Sequence, residues 1–215
     1  MKRLRRALGG TVALLVALGA LGAAGAQALE FHTESEGATI TASLPTGEGG
    51  ESTEAFSFLI EKTYVDLCVA GKLEGPMSKK TAGSLALTPK LSECALPWSM
   101  GACDLGFDAA GTFDVTGAEC ASKPMTIKAF AFPPGGCLIR IGPQENLSGI
   151  TYVNEGSGAS RQVKATLAIG KVHYTQVSGF PCPGGLGTFT KGEFTSAFIL
   201  RAENSEGKQQ GLWLE

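Results

Sequence analysis

Hydrophobic and β-branched residues in this chain fall in short runs that mostly alternate with polar ones, and Gly and Pro separate the runs. The runs cover residues 38–43, 55–68, 84–91, 112–116, 126–132, 137–141, 150–154, 162–169, 171–177, 193–202 and 211–214. Alternation puts every second side chain on one face, so Ala38-Thr39-Ile40-Thr41-Ala42-Ser43 and its like predict half-buried β-strands. Between the runs stand Pro133-Pro134-Gly135-Gly136, Gly156-Ser157-Gly158 and Pro181-Cys182-Pro183-Gly184-Gly185, strings that fit hairpins and longer loops. No stretch sustains the spacing of an amphipathic helix. One segment reads both ways: within 51–68, Phe56, Leu59, Ile60 and Thr63 fit a helical face, while Phe56, Phe58, Ile60 and Tyr64 are closer to alternation, and strand is the reading adopted. About ten short strands in one chain predict an all-β fold, an antiparallel β-sandwich or a jelly-roll-like pair of sheets.

The first residues follow a different pattern. Lys2, Arg3, Arg5 and Arg6 precede an apolar run over 11–24, and no acidic residue occurs before Glu30. That order is a secretory signal, and the small-residue string Ala26-Gln27-Ala28 predicts cleavage after Ala28. An uncleaved membrane anchor is disfavoured, because the run is short and broken by Gly19 and Gly22. The expectation is a secreted or cell-surface protein in which residues 29–54 form an N-terminal strand and an acidic Gly-rich linker and residues 55–215 form the sandwich domain.

Composition narrows the function. At 43% hydrophobic and 18% charged residues, the chain has enough apolar material for a sizeable core. Four of its 18 basic residues lie in the leader, so the cleaved chain keeps 14 against 20 acidic ones, a formal charge of −6. That balance offers no basic field for nucleic acid. No second apolar stretch has spanning length, so no stable membrane insertion is expected after signal removal.

Six cysteines, Cys68, Cys94, Cys103, Cys120, Cys137 and Cys182, all lie in the exported part. Successive cysteines are separated by 25, 8, 16, 16 and 44 residues, with no C-x-x-C pair, and His32 and His173 are far apart, so neither a zinc site nor a thioredoxin-like redox site is expected. Three structural disulfides are. Of the possible pairings, short loops favour Cys94 with Cys103 across Pro97, and Cys120 with Cys137 across a hairpin near Pro133. Cys68 and Cys182 then remain for each other.

The cysteine contexts also carry a resemblance. Cys68 ends a strand; Ser84-Leu85-Ala86-Leu87-Thr88-Pro89-Lys90-Leu91-Ser92-Glu93-Cys94 follows; then come Cys103, Cys120, and Cys137 with Ile139-Arg140-Ile141-Gly142-Pro143-Gln144. Tyr152-Val153-Asn154, Val172-His173-Tyr174, Cys182 and Gly192-Glu193-Phe194-Thr195 complete the order. This order resembles a family of secreted six-cysteine β-rich proteins of unassigned function from actinobacterial genomes. Where those relatives carry Asn-Gly-Cys-x-Tyr-x-Phe, this chain has Gly101-Ala102-Cys103-Asp104-Leu105-Gly106-Phe107, so the first aromatic is lost. The resemblance implies export and an all-β fold, and it brings no activity.

Catalytic signatures are incomplete. Asn154-Glu155-Gly156-Ser157-Gly158 is not a nucleophile elbow and reads as a hairpin loop. Gly187-Thr188-Phe189-Thr190-Lys191-Gly192 has the opening spacing of a phosphate loop, but Glu193-Phe194 stand where Lys and a hydroxyl are required, and the segment reads as a turn. His173 sits mid-strand with no fixed acid or nucleophile beside it. Asp104 and Asp108 flank Gly106, as an acid pair for glycoside hydrolysis or as calcium ligands would, without the EF-hand pattern. Glu48, Glu51 and Glu54 read as a solvated acidic linker. Asn146-Leu147-Ser148 matches a glycosylation sequon, which a bacterial-type signal sets aside. Trp98, in the loop after Cys94, is the candidate ligand contact if its indole is exposed and a core plug if it folds back; Trp213 reads as core. No catalytic residue, metal or cofactor is implied. The reading is an exported, non-catalytic interaction module whose partner is an extracellular glycan or protein. A secreted hydrolase acting on glycans or other extracellular polymers is the alternative.

Overall fold

The computed structural model describes residues 28–47, 50–129, 136–178, 182 and 185–215. The leader apart from Ala28, Glu48, and Pro133-Pro134-Gly135 lie outside these residues. The strands are β1 (Phe31–Thr33), β2 (Ala38–Ser43), β3 (Phe56–Ile60), β4 (Thr63–Met77), β5 (Thr81–Ala82), β6 (Ser84–Cys94), β7 (Trp98–Ser99), β8 (Asp104–Asp108) and β9 (Thr112–Thr116). They continue as β10 (Met125–Ala129), β11 (Cys137–Ile141), β12 (Gln144–Ser148), β13 (Ile150–Glu155), β14 (Gln162–Ser178), β15 (Gly187–Glu203), β16 (Gln209–Gln210) and β17 (Leu212–Leu214). The expected all-β, antiparallel, sandwich-like fold is what forms. Among the described residues no helix is long and apolar enough to cross a membrane.

The main sheet runs β12-β9-β8-β6-β4-β2-β15-β14-β11-β10-β7, and β17-β1-β5 form a small second sheet. Strands β4 and β15 each pair with β3 over one half and with β2 over the other, so β2 and β3 lie end to end in one row between them. Residues 29–54, read as strand and linker ahead of the sandwich, therefore supply one of its inner strands. Alternation explains the burial: in β2, Ala38, Ile40 and Ala42 face the core while Thr39, Thr41 and Ser43 do not.

The β4–β6 ribbon turns over along its length. Leu73 and Pro89 are partners and both are buried, yet at the other end of β4 the buried residues are Asp66 and Cys68, on the opposite parity. The turnover passes through Gly71, at φ 137°, where a Cβ would lie 2.7 Å from the Leu91 backbone; only glycine fits there. The layers meet in an aromatic core. Phe194 of β15 lies 5.3 Å from both Phe56 and Phe58 of β3 and 5.9 Å from Phe113 of β9, and Phe107 of β8 meets Phe198 edge-on at 6.1 Å.

Several sequence readings are corrected. The run 55–68 is a hairpin, β3 and β4, joined by Glu61 and Lys62. Both turn residues have positive φ, 50° and 66°, as a two-residue primed turn requires, but neither is the Gly or Asn that marks such a turn in sequence. The runs 162–169 and 171–177 are one strand, β14, whose bulge near Lys171 (φ 60°) gave the appearance of a break. Gly187 to Gly192 belongs to β15 and is not a turn; Gly192 is there because a Cβ would sit 2.9 Å from the Phe58 ring. Trp213 is half-buried at the surface, stacked on His32 with the Arg161 guanidinium 4.1 Å over its ring.

All six cysteines are paired, but not as loop length suggests: the bridges are Cys68–Cys94, Cys103–Cys120 and Cys137–Cys182. Each joins neighbouring antiparallel strands or the ends of a hairpin. Cys68 and Cys94 are direct partners in the β4–β6 ladder, with Cα atoms 3.9 Å apart. Cys103 and Cys120 flank the β8–β9 hairpin, and Cys137 opens β11 beside β14, which Cys182 follows. The interval after Cys94 does not fold back on itself. It is drawn out into β7, where Trp98 pairs with Ile127 of β10.

Candidate functional site

Trp98 does not present an open indole. The residue is half-buried, its ring packs 5.3 Å from Phe56, and its Nε1 is buried without a hydrogen-bond partner. The structure thus places it in the packing of β7 against β3.

The acid and base candidates are equally occupied. Thr88 donates to Asp104 Oδ1 at 2.6 Å, and the Ala110 N–H donates to Asp108 Oδ1 at 2.7 Å. His173 is exposed; its backbone is clamped by Gln144, whose Oε1 accepts from the His173 N–H at 2.8 Å while Nε2 donates to its carbonyl at 3.2 Å. Among the described residues no three His, Cys, Asp or Glu side chains are grouped to hold a metal ion.

Among the described residues Asp66 is the one buried acid, 2% exposed. Its Oδ1 accepts from the Leu67 and Leu96 N–H groups, each at 2.8 Å, and its Oδ2 has no partner. Desolvation pushes its carboxyl above the ordinary value of 3.8, against the lowering by those two N–H groups. The folded state therefore holds this proton more tightly than the unfolded chain. Ionised Asp66 costs stability near neutrality, and that cost is relieved as pH falls through the raised pKa towards 3.8. Asp66→Asn keeps the Oδ1 acceptor, so it should gain stability over the native protein at pH 7 and lose that advantage in acid. Urea melts of both proteins across this range check it; an offset that does not change with pH would remove Asp66 as its source.

Several depressions mark the surface. A groove of about 590 Å³ lies where β2 ends and β3 begins, lined by short hydroxyl side chains including Ser52, Thr53, Ser57, Thr166 and Thr195. A second, of about 680 Å³, is bordered by Ser122, Thr126, Arg140 and Thr175. Both are open and lack an aromatic wall. The third is smaller, about 330 Å³, and more enclosed. Three elements converge on it: the β3–β4 turn, the first part of β15 and the facing part of β14.

Cross-strand partners Tyr174 and Phe189 form its wall, stacked at 5.3 Å and 20°. Tyr174 is 3% exposed. Burial, and then the charge of Glu61, raise its phenol pKa. At the rim Lys191 Nζ bonds Glu61 Oε1 in an exposed ion pair. A neighbouring hollow of about 490 Å³ shares Glu61, Thr190 and Lys191 and adds Lys62, Lys171 and Glu193. Glu61, Lys62 and Lys171 are three of the five non-glycine residues with positive φ among the described residues, a conformation costing about 1–3 kcal/mol at each position. In sequence Thr188 to Lys191 stand only within an incomplete phosphate-loop string, and Glu61, Lys62 and Lys171 carry no motif, because these segments meet only through strand pairing.

Comparison with protein-family models, curated proteins and solved structures finds no match to this chain.

Proposed function

We propose that this protein is exported and works outside the cytoplasm as a non-catalytic interaction module. The observation that carries the reading is the pairing of every cysteine, since three bridges persist only where thiols are not kept reduced. The basic n-region, the apolar run and Ala26-Gln27-Ala28 agree with it. The non-catalytic part rests on occupied carboxylates at Asp104 and Asp108 and on an exposed His173 whose imidazole has no acid or nucleophile bound to it among the described residues. The cysteine order, which resembles that of secreted proteins of unassigned function, adds nothing to the ligand. Protein recovered from culture medium should begin at Leu29 by N-terminal sequencing. An intact Met1 in washed membranes would overturn export, and release of products from a polysaccharide panel would favour the hydrolase.

A further inference from the structure

We infer that the Tyr174–Phe189 depression is the ligand site of this module and takes one sugar ring of an anionic polysaccharide. The inference rests on the interaction reading above and names its ligand class. The first support is shape: about 330 Å³ with an adjoining 490 Å³ hollow is room for one ring and its neighbour on a chain. The wall is next. Phe189 offers an apolar ring surface, held by its stack on Tyr174, of the kind on which the C–H face of a pyranose lies.

Polar groups stand around that wall. Tyr174 lines the depression, so its hydroxyl can pair with a ligand hydroxyl that enters it. The Thr190 hydroxyl and the Glu61–Lys191 pair supply further donors and acceptors at the rim. Sign of charge then selects among sugars. With Glu61 and Lys191 neutralising each other, Lys62 and Lys171 outnumber Glu193 around the hollow, on a protein whose overall charge is negative. A uronate carboxylate or a sulfate ester one ring along meets those two ammonium groups. Left-handed backbone conformations place Lys62 on the β3–β4 turn and Lys171 on the β14 bulge, and both line the hollow.

The test is calorimetric titration of the cleaved protein with hexagalacturonate, a chondroitin sulfate hexasaccharide and neutral cellohexaose. At least one anionic probe should bind at least tenfold more tightly than cellohexaose and weaken as salt is raised. Phe189→Ala, and separately the surface double variant Lys62→Gln/Lys171→Gln, should each weaken that binding by tenfold or more. The double variant touches no buried group, so its melting temperature should not change. Equal binding of neutral and anionic probes, or binding indifferent to the double variant, overturns the assignment. So does failure of all three probes to bind, which leaves the module reading to a protein partner; shortening of a bound probe would instead overturn the non-catalytic reading.

Discussion

Removing all three disulfides is expected to destabilise the fold by about 10 kcal/mol and to leave the chain unfolded at room temperature. On the chain-entropy account, loops of 17, 26 and 45 residues are worth about 3, 3.5 and 4 kcal/mol. Their sum is comparable with the whole stability of a typical domain, about 5–15 kcal/mol. The separate bridges rank accordingly: Cys137→Ala/Cys182→Ala should cost most and Cys103→Ala/Cys120→Ala least. Urea melts of the three double variants, with near-ultraviolet circular dichroism of the reduced protein, measure both claims. A reduced chain that keeps its near-ultraviolet signal would show that the aromatic core holds the sandwich unaided.

That core has its own expected weak point. Phe194→Ala should cost about 4–5 kcal/mol, the upper part of the range for truncating a buried aromatic. Phe194 is fully buried and pairs across the ladder with Phe58 on one side and Ile169 on the other. Its ring also reaches Phe113 on a strand distant in the sheet, so the cavity opens between layers rather than within one. The neighbouring rings cannot collapse into it without moving β3 or β9. Phe189→Ala, at the surface end of the same strand, should cost clearly less. Equal losses for the two variants would contradict this account of where the layers are joined.

Strands whose alternation is uninterrupted were legible from sequence: 38–43, 112–116 and 137–141 match β2, β9 and β11 at both ends. Elsewhere the signal was masked by residues that tertiary context permits. β4 continues nine residues past Cys68, through Gly71, Gly75 and Pro76, which in sequence read as breakers. β12 is polar except for Leu147 and is held by pairing with β9 and by the Gln144 clamp on His173, neither of which leaves a hydrophobic pattern. The bridges were misassigned for the same reason. Short loops are a guide to pairing only when strand ends are known, and β6 runs three residues beyond its apolar run to bring Cys94 opposite Cys68. The depression leaves no local pattern because Lys62 is brought beside Lys171 and Phe189 by the β3–β15 ladder, which links segments more than a hundred residues apart.

The order of the bridges bears on how such a chain comes to be oxidised. Along the sequence, first pairs with second, third with fourth and fifth with sixth. No loop encloses or crosses another. For a chain that emerges N-terminus first, the partner of each waiting thiol is therefore the next thiol to arrive, and each ring can close before the following one begins. Joining cysteines in their order of arrival yields the native map directly, so no bridge has to be broken and remade to reach it.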